Sequence, residues 1–446
     1  MYDPNHRTPP TITGSLSSTL LSPGSLLALS IFGYYSIAAA GSALFTDGGV
    51  DGLILRGVMF ALLLLGVFLY SGNRDWSRAF VPMIIFSVFY IFRILHNYLI
   101  SDSPPPWDMT AVLQLFFIGG LVPAIAVSSM RTRLRDDGFS RVASTLCIVF
   151  ILGLLFSSSI SLFDPQDRRL QFDKINAISM GNMAATFLLY YFVFIAYNRR
   201  IRIEAVLFVL PLLWIFVYAQ SRGAYLAAAG SVVIYLILIR KNRRGTLVVL
   251  GSLSAVAVAA YFGREYLDVI WDRLGDIDIV GDRSSYLHYV AYNSALEAFY
   301  ANPVFGSSII ENVTGYYPHN IFVESLMSVG VVGSVPFLLH LILATRAAIG
   351  IIRGQGSTAV AVFVSLVFFQ TSIAGGFSGS IWGNTVFWIA STVCISIWYG
   401  RIWDDLRARR RARSSGWADV GADGGALSNG RRSGPVERVF DLRYGG

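Results

Sequence analysis

Long apolar runs alternate with short polar connections along this chain, and no other feature constrains its fold as tightly. A helix that crosses a bilayer needs about 20 mostly apolar residues. Runs near that length occupy residues 23–45, 53–70, 79–100, 109–129, 142–163 and 177–197. They resume at 204–220, 224–240, 247–262, 319–345, 357–373 and 382–399. Inside lipid the backbone must satisfy its own hydrogen bonds, so such runs fold as helices. The expectation is an all-α integral membrane protein with about 12 transmembrane helices. Composition agrees: 54% of the 446 residues are hydrophobic and 14% charged, whereas soluble chains carry about a quarter charged residues. That balance excludes a water-soluble enzyme and an intrinsically disordered chain. Cys147 and Cys394 both sit inside apolar runs. They read as small buried hydrophobes, which excludes a disulfide scaffold.

The connections alternate in charge. Arginine and lysine gather at Arg74 and Arg78, at Arg131 to Arg141, at Arg199 to Arg202, at Arg240 to Arg244, and at Arg346 and Arg353. The loops between them, such as 46–51 and 101–108, are neutral or acidic. The positive-inside rule makes the basic set cytoplasmic. Twelve spans let every loop obey that rule and put both termini in the cytoplasm, whereas an odd number breaks it. Residues 1–22 are polar with no short apolar run and cleavage site, so the first helix is expected to act as its own insertion signal. The net charge of +8 is mostly topology signal plus attraction to membrane lipids, and no nucleic-acid partner is expected. Residues 414–446, rich in Gly, Ser and Arg, read as a disordered tail.

One connection is much longer than the rest. About 55 residues separate Phe262 from His319, on the external side, and loops of that length in a compact fold usually serve function. Asp282 and Ser284 can cap a helix there. Its apolar face would run through Tyr286, Leu287, Val290, Ala291, Ala295, Leu296 and Phe299, and Asn302-Pro303 would stop it. Too polar to span, it is expected to lie at the membrane surface. The organisation is therefore a cytoplasmic segment 1–22, helices 1–9 in 23–262, an external loop with a surface helix in 263–318, helices 10–12 in 319–399, and a basic cytoplasmic tail 400–446.

Charges on the wrong side of the membrane need a reason, because one at bilayer centre costs about 2.5–3.5 kcal/mol on insertion scales. Arg222, in Gln220-Ser221-Arg222-Gly223, marks the apex of a tight hairpin between two apolar runs. Arg283 starts the surface helix, and Arg264 and Arg273 share its loop. Arg168, Arg169 and Lys174 precede Asn176, while Arg56 and Arg93 lie near the outer ends of their spans. Any one of them can snorkel to the headgroups. Together they describe an outward-facing cationic site, and guanidinium forks match phosphate oxygens bidentately. The ligand class this implies is a lipid-linked phosphate or pyrophosphate at the outer leaflet. His319 and Asn320 open the next helix, with Glu324 in its second turn. His319 reads either as an interfacial structural residue or as a general base. Glu324 reads as a helix-start feature or as a group that binds or orients a partner. Gly330 and Gly333 read as a small-residue face for a neighbouring helix. The five histidines are scattered and no CxxC pair exists, so neither metal nor cofactor is expected.

Three ordered motifs then carry a resemblance. Gln220-Ser221-Arg222-Gly223 at a hairpin is one. Asp282-Arg283 leading to Asn302-Pro303-Val304-Phe305-Gly306 is the second. His319-Asn320-Ile321-Phe322-Val323-Glu324 followed by Gly330-Val331-Val332-Gly333 is the third. In order and spacing they resemble the O-antigen ligase and polymerase superfamily, whose twelve-helix plan covers the whole chain. The resemblance implies an inverting, metal-free glycosyltransferase of the bacterial inner membrane, working at the periplasmic face. The donor would be a glycan on undecaprenyl pyrophosphate. The acceptor would be a hydroxyl of lipid A-core for a ligase, or another lipid-linked glycan for a polymerase. By motif, Arg222 and Arg283 would hold the pyrophosphate and His319 would deprotonate or orient the acceptor hydroxyl. Arg264 matches no motif and is a weaker candidate for the pyrophosphate clamp; Arg169, Asn320 and Glu324 are the other candidates for substrate binding. Ser328 stands where the family often carries a second Glu, and Ser307-Ser308 follow Gly306 where a second glycine is common. One dominant external loop before the last three helices favours the ligase over the polymerase. A transporter or flippase, the reading from another class, would show internal repeats and ionisable residues near mid-span.

Overall fold

Ten of the expected runs form helices in the computed structural model, which describes residues 22–44, 57, 60–61, 64–65, 78–101, 104–129, 136–156, 176–197, 203–238, 283–354 and 357–402. They are α1 (Pro23–Leu44), α2 (Val81–Leu99), α3 (Met109–Ser128), α4 (Asp136–Leu155), α5 (Ala177–Tyr197), α6 (Ile203–Tyr218) and α7 (Arg222–Leu238). After α8 (Arg283–Ala301) come α9 (Ile321–Arg353), α10 (Ala359–Ser378) and α11 (Thr385–Ile402). Eight of the described helices are long and apolar enough to cross a membrane, and α6 and α7 are shorter apolar helices. The expected span 247–262, most of 53–70, the basic tail and the first part of the long loop lie outside the described residues. Contacts divide the chain into two units, Met1–Gly400, which holds the helix bundle, and Arg401–Gly446.

Two aromatic clusters hold the bundle. Phe32 of α1 stacks on Phe187 of α5 with centroids 4.3 Å apart and lies 5.8 Å from Phe363 of α10. Phe86 of α2 packs on Phe337 of α9 at 5.0 Å and on Trp388 of α11 at 5.7 Å. Lipid tails are as apolar as these rings, so tight packing and buried polar links carry helix association in a membrane. Gly153 of α4 shows the packing: a Cβ there would sit 2.5 Å from the Ala39 carbonyl carbon of α1. Gln370 of α10 shows the polar link, donating to the Asn182 carbonyl of α5 at 2.9 Å and accepting from Thr186 at 3.1 Å. Cys147 and Cys394 are buried and unbonded to each other, as small hydrophobes.

Helix α9 is broken. Gly330 takes φ 62° and ψ −167°, a left-handed-side conformation open to glycine and strained for other residues. The break frees backbone groups that have no water to turn to. The loop 302–307 supplies their partners. Val331 N–H donates to the Pro303 carbonyl at 2.8 Å and Val332 N–H to that of Val304 at 3.1 Å, while the Met327 carbonyl accepts from Ser307 N–H at 2.8 Å. A Cβ on Gly330 would lie 2.3 Å from the Val304 oxygen, and one on Gly306, also at positive φ, 2.5 Å from the Ser328 carbonyl carbon. Gly330 is thus a helix break docked on a loop, which corrects its expected place on a helix-packing face. Gly333 does turn toward α2, where Phe89 lies 3.5 Å from a Cβ added there.

Helix α8 forms where the sequence places it, with a buried face that keeps most of the expected one. Ala291, Ser294 and Ala295 are buried, and Ala295 packs with Val323 and Met327 of α9. Tyr286 and Leu287, expected on that face, are exposed, together with Tyr289 and Tyr292. Small residues let the two helices approach, so the stripe centres on alanine and serine, with Leu296 packed beside it.

Candidate functional site

Two chain corners build the site. Among the described residues, Gln220 at φ 46° and His319 at φ 56° are the two non-glycine residues with positive φ. Such conformations cost of order 1–3 kcal/mol and persist where the surroundings over-determine them. At the first corner α6 ends, Gln220 turns the chain, and the buried Ser221 hydroxyl accepts from Ala224 N–H at 3.4 Å. That hydroxyl caps α7, whose first residue is Arg222. At the second corner Asn320 caps α9, its side-chain oxygen accepting from Phe322 N–H at 2.9 Å and Val323 N–H at 3.1 Å.

The end of α10 joins the two corners. A Cβ on Gly223 would meet the Ser378 hydroxyl at 3.0 Å, and Asn320 donates from Nδ2 to the Gly376 carbonyl at 2.9 Å. Helix α8 joins them again. Arg222 Nη1 donates to Ser285 Oγ at 2.9 Å. One turn along the same face, His288 stacks on His319 with centroids 4.1 Å apart and planes 23° from parallel. Arg222 and His319, from separate motifs, are therefore gathered along one face of α8.

His319 is mostly buried beside Tyr317, whose ring lies 4.5 Å away. Burial, then the neighbouring His288, lower its pKa to about 4, against the opposing pull of Glu311. The imidazole is neutral at pH 7, and its Nδ1 is buried with no hydrogen-bond partner. Burial likewise raises Tyr317 to about 12, so that phenol keeps its proton. Glu311, itself fully buried, fixes the turn beneath: its carboxylate accepts from Val313 N–H at 2.7 Å and Thr314 N–H at 2.8 Å.

The other expected site residues fall differently. Arg283 is the first residue of α8, described at its backbone. Arg169 and Arg264 lie outside the described residues. Both ends of the Asn320 side chain are engaged by the protein, as cap and as donor to Gly376. Glu324 has no exposed surface; its carboxylate accepts from the Tyr90 hydroxyl and from Ile381 N–H at 2.9 Å. The structure gives these two the task of fixing the corner.

Arg93 leaves the cationic set. Its Nε donates to the Ser328 carbonyl at 2.7 Å, Nη1 to Ser307 at 2.9 Å, and Nη2 to Phe305 at 2.7 Å and Gly306 at 3.0 Å. One turn on, Asn97 accepts from Ile309 N–H at 3.0 Å. Tyr90, Arg93 and Asn97 form one polar stripe on α2 that fastens the broken helix and its loop. Their spacing of three and four residues within an apolar span was the signal in the sequence.

A multi-pass, all-helical membrane protein with a neutral histidine and an arginine gathered at one end of the bundle is the class these features define. Residues 205–338 match the family model described as O-Antigen ligase. This segment is similar to that family, and it spans both corners and α8. No curated protein matches the chain.

Proposed function

We propose that the protein is a lipid-linked glycan transferase of the ligase type. It moves a glycan from undecaprenyl pyrophosphate to a hydroxyl of lipid A-core at the periplasmic face of the inner membrane. The observation that carries this reading is the gathering of Arg222 and neutral His319 along α8. In the transfer the acceptor oxygen forms a bond to the anomeric carbon. The bond from that carbon to the pyrophosphate oxygen breaks, and its electron pair leaves with the phosphate. Arg222 stands where a fixed guanidinium stabilises the growing charge, with Arg283 as its partner. His319 Nδ1, lacking a partner, accepts the hydroxyl proton. At a pKa of about 4 it is a weak base, and it takes the proton once bonding to the anomeric carbon has made the hydroxyl strongly acidic.

The test is transfer by protein purified into nanodiscs, using donor and acceptor extracted from its own host. Arg222→Ala is expected to lower kcat by about 10²–10³-fold and His319→Ala by about 10²–10⁴-fold, with thermal unfolding unchanged. Wild-type rates in either variant sink the proposed roles. Elongation of carrier-linked repeats, without delivery to the core lipid, makes the protein a polymerase with the same chemistry. No transfer by the wild type moves the reading to transport.

A further inference from the structure

A continuous aromatic wall leads away from His319. Tyr317 lies 5.9 Å from Trp382 and 5.8 Å from Trp107; Trp107 and Trp382 are 5.6 Å apart, and Tyr316 closes the far side at 5.7 Å from Trp107. With His288 stacked on His319 at 4.1 Å, the rings come from four separate parts of the chain.

Each tryptophan is held rigidly. Trp107 follows Pro104-Pro105-Pro106, whose φ angles are fixed by their rings. It precedes Asp108, which caps α3 by accepting from Thr110 N–H at 3.2 Å. Trp382 sits in the turn 380–383, closed by Gly383 N–H donating to Ser380 Oγ at 3.0 Å. Buried Glu324 pins its neighbour Ile381 through the backbone N–H at 2.9 Å. Two buried polar atoms along the wall have no hydrogen-bond partner, Trp382 Nε1 and His319 Nδ1. A rigid run of ring faces with a few unanswered polar groups is the usual composition of a small-ligand site.

We propose that this wall binds a sugar ring of the acceptor, next to the residue that receives its proton. Aromatic faces carry negative charge density and attract the polarised C–H face of a pyranose, while Trp382 Nε1 donates to a ring hydroxyl. The acceptor is favoured over the donor glycan because the wall is continuous with His319, whereas Arg222 meets α8 one turn away, at Ser285. The alternative is an aromatic belt at the membrane interface. Belt residues anchor singly among headgroups, while these rings pack on one another and converge on one imidazole.

This inference rests on the transferase reading, and its test separates the two. Wild type, Trp107→Leu, Trp107→Phe and Trp382→Phe are purified into nanodiscs. Binding of delipidated core oligosaccharide from the host is measured by calorimetry, and transfer kinetics in parallel. Trp107→Leu is expected to weaken oligosaccharide binding and raise the acceptor KM about tenfold. Its kcat, donor KM and Tm should stay near wild type, and Trp107→Phe should restore most of the loss. Trp382→Phe should weaken binding severalfold through the lost N–H. Wild-type binding without transfer keeps the wall and overturns the transferase. Unchanged binding and acceptor KM in Trp107→Leu and Trp382→Phe leave a membrane belt and overturn the wall. A rise confined to donor KM also overturns it, as does a loss of kcat that tracks a fall in Tm.

Discussion

Arg93 and Arg222 look alike in the sequence, each a lone arginine at the end of an apolar run, and the structure gives them opposite environments. Four backbone carbonyls surround the Arg93 guanidinium. Arg222 reaches a hydroxyl, that of Ser285, on a helix that also presents His288 to His319. Carbonyls of a broken helix and of the loop docked on it cannot move away without breaking the fold, so Arg93 belongs to the architecture. A serine hydroxyl rotates at little cost and yields to a phosphate oxygen, a stronger acceptor. The two surroundings differ in the acceptors they include, backbone carbonyls at Arg93 and a side-chain hydroxyl at Arg222, which neither hydropathy nor charge counting contains.

The sharpest way to break this comparison is at the knot Arg93 serves. Gly330→Ala would place a methyl 2.3 Å from the Val304 oxygen at a φ of 62°. The expected outcome is loss of folded protein in detergent, read by size exclusion and by thermal melting. A well-folded, active Gly330→Ala protein would show that α9 need not be broken.

Next in size is Arg93→Ala, which removes four hydrogen bonds from a charged donor to backbone, a class worth roughly 1.5–3 kcal/mol each when fully formed. A clear fall in Tm is expected, with transfer falling in proportion to folded protein. Arg222→Ala should do the reverse, keeping Tm and losing transfer. If Arg93→Ala keeps its Tm and loses transfer, Arg93 returns to the cationic site and the comparison fails. Glu324→Ala should resemble Arg93→Ala, because it leaves the Tyr90 hydroxyl and Ile381 N–H of its buried site unanswered.

Much of this was legible beforehand for a physical reason. Span length and hydropathy are local quantities, so the runs at 23–45, 109–129 and 177–197 reappear as α1, α3 and α5 within a few residues. The stop at Asn302-Pro303 was equally local, since α8 ends at Ala301. The face of α8 was legible only in part: Ala291 and Ala295 are buried as expected, while Tyr286 and Leu287 are exposed. Against another helix the close-packing residues are Ala291, Ser294 and Ala295. The break at Gly330 depends on partners more than twenty residues upstream, and Arg93 depends on the break. His288 escaped notice because its value comes from His319, which no spacing on α8 reveals.

The smallest expected effect is also the most diagnostic of His319. Its folded pKa is held near 4 by burial and by His288, below the usual value of about 6.5. The unfolded chain therefore binds a proton between pH 6.5 and 4 that the folded chain refuses. Stability from this group is complete above pH 6.5 and declines as pH falls toward 4. In kinetics, kcat/KM reports the free enzyme and kcat the loaded one. The acid limb of kcat/KM should fall near pH 4. A bound pyrophosphate puts negative charge close to the imidazole, which favours its protonated form, so the limb of kcat should lie at higher pH. His288→Leu removes one cause of the depression and should move the kcat/KM limb upward while Arg93→Lys leaves it in place. Coincident limbs in kcat and kcat/KM would mean that the anion binds away from His319, and the side of the site assigned to Arg222 would have to be sought elsewhere.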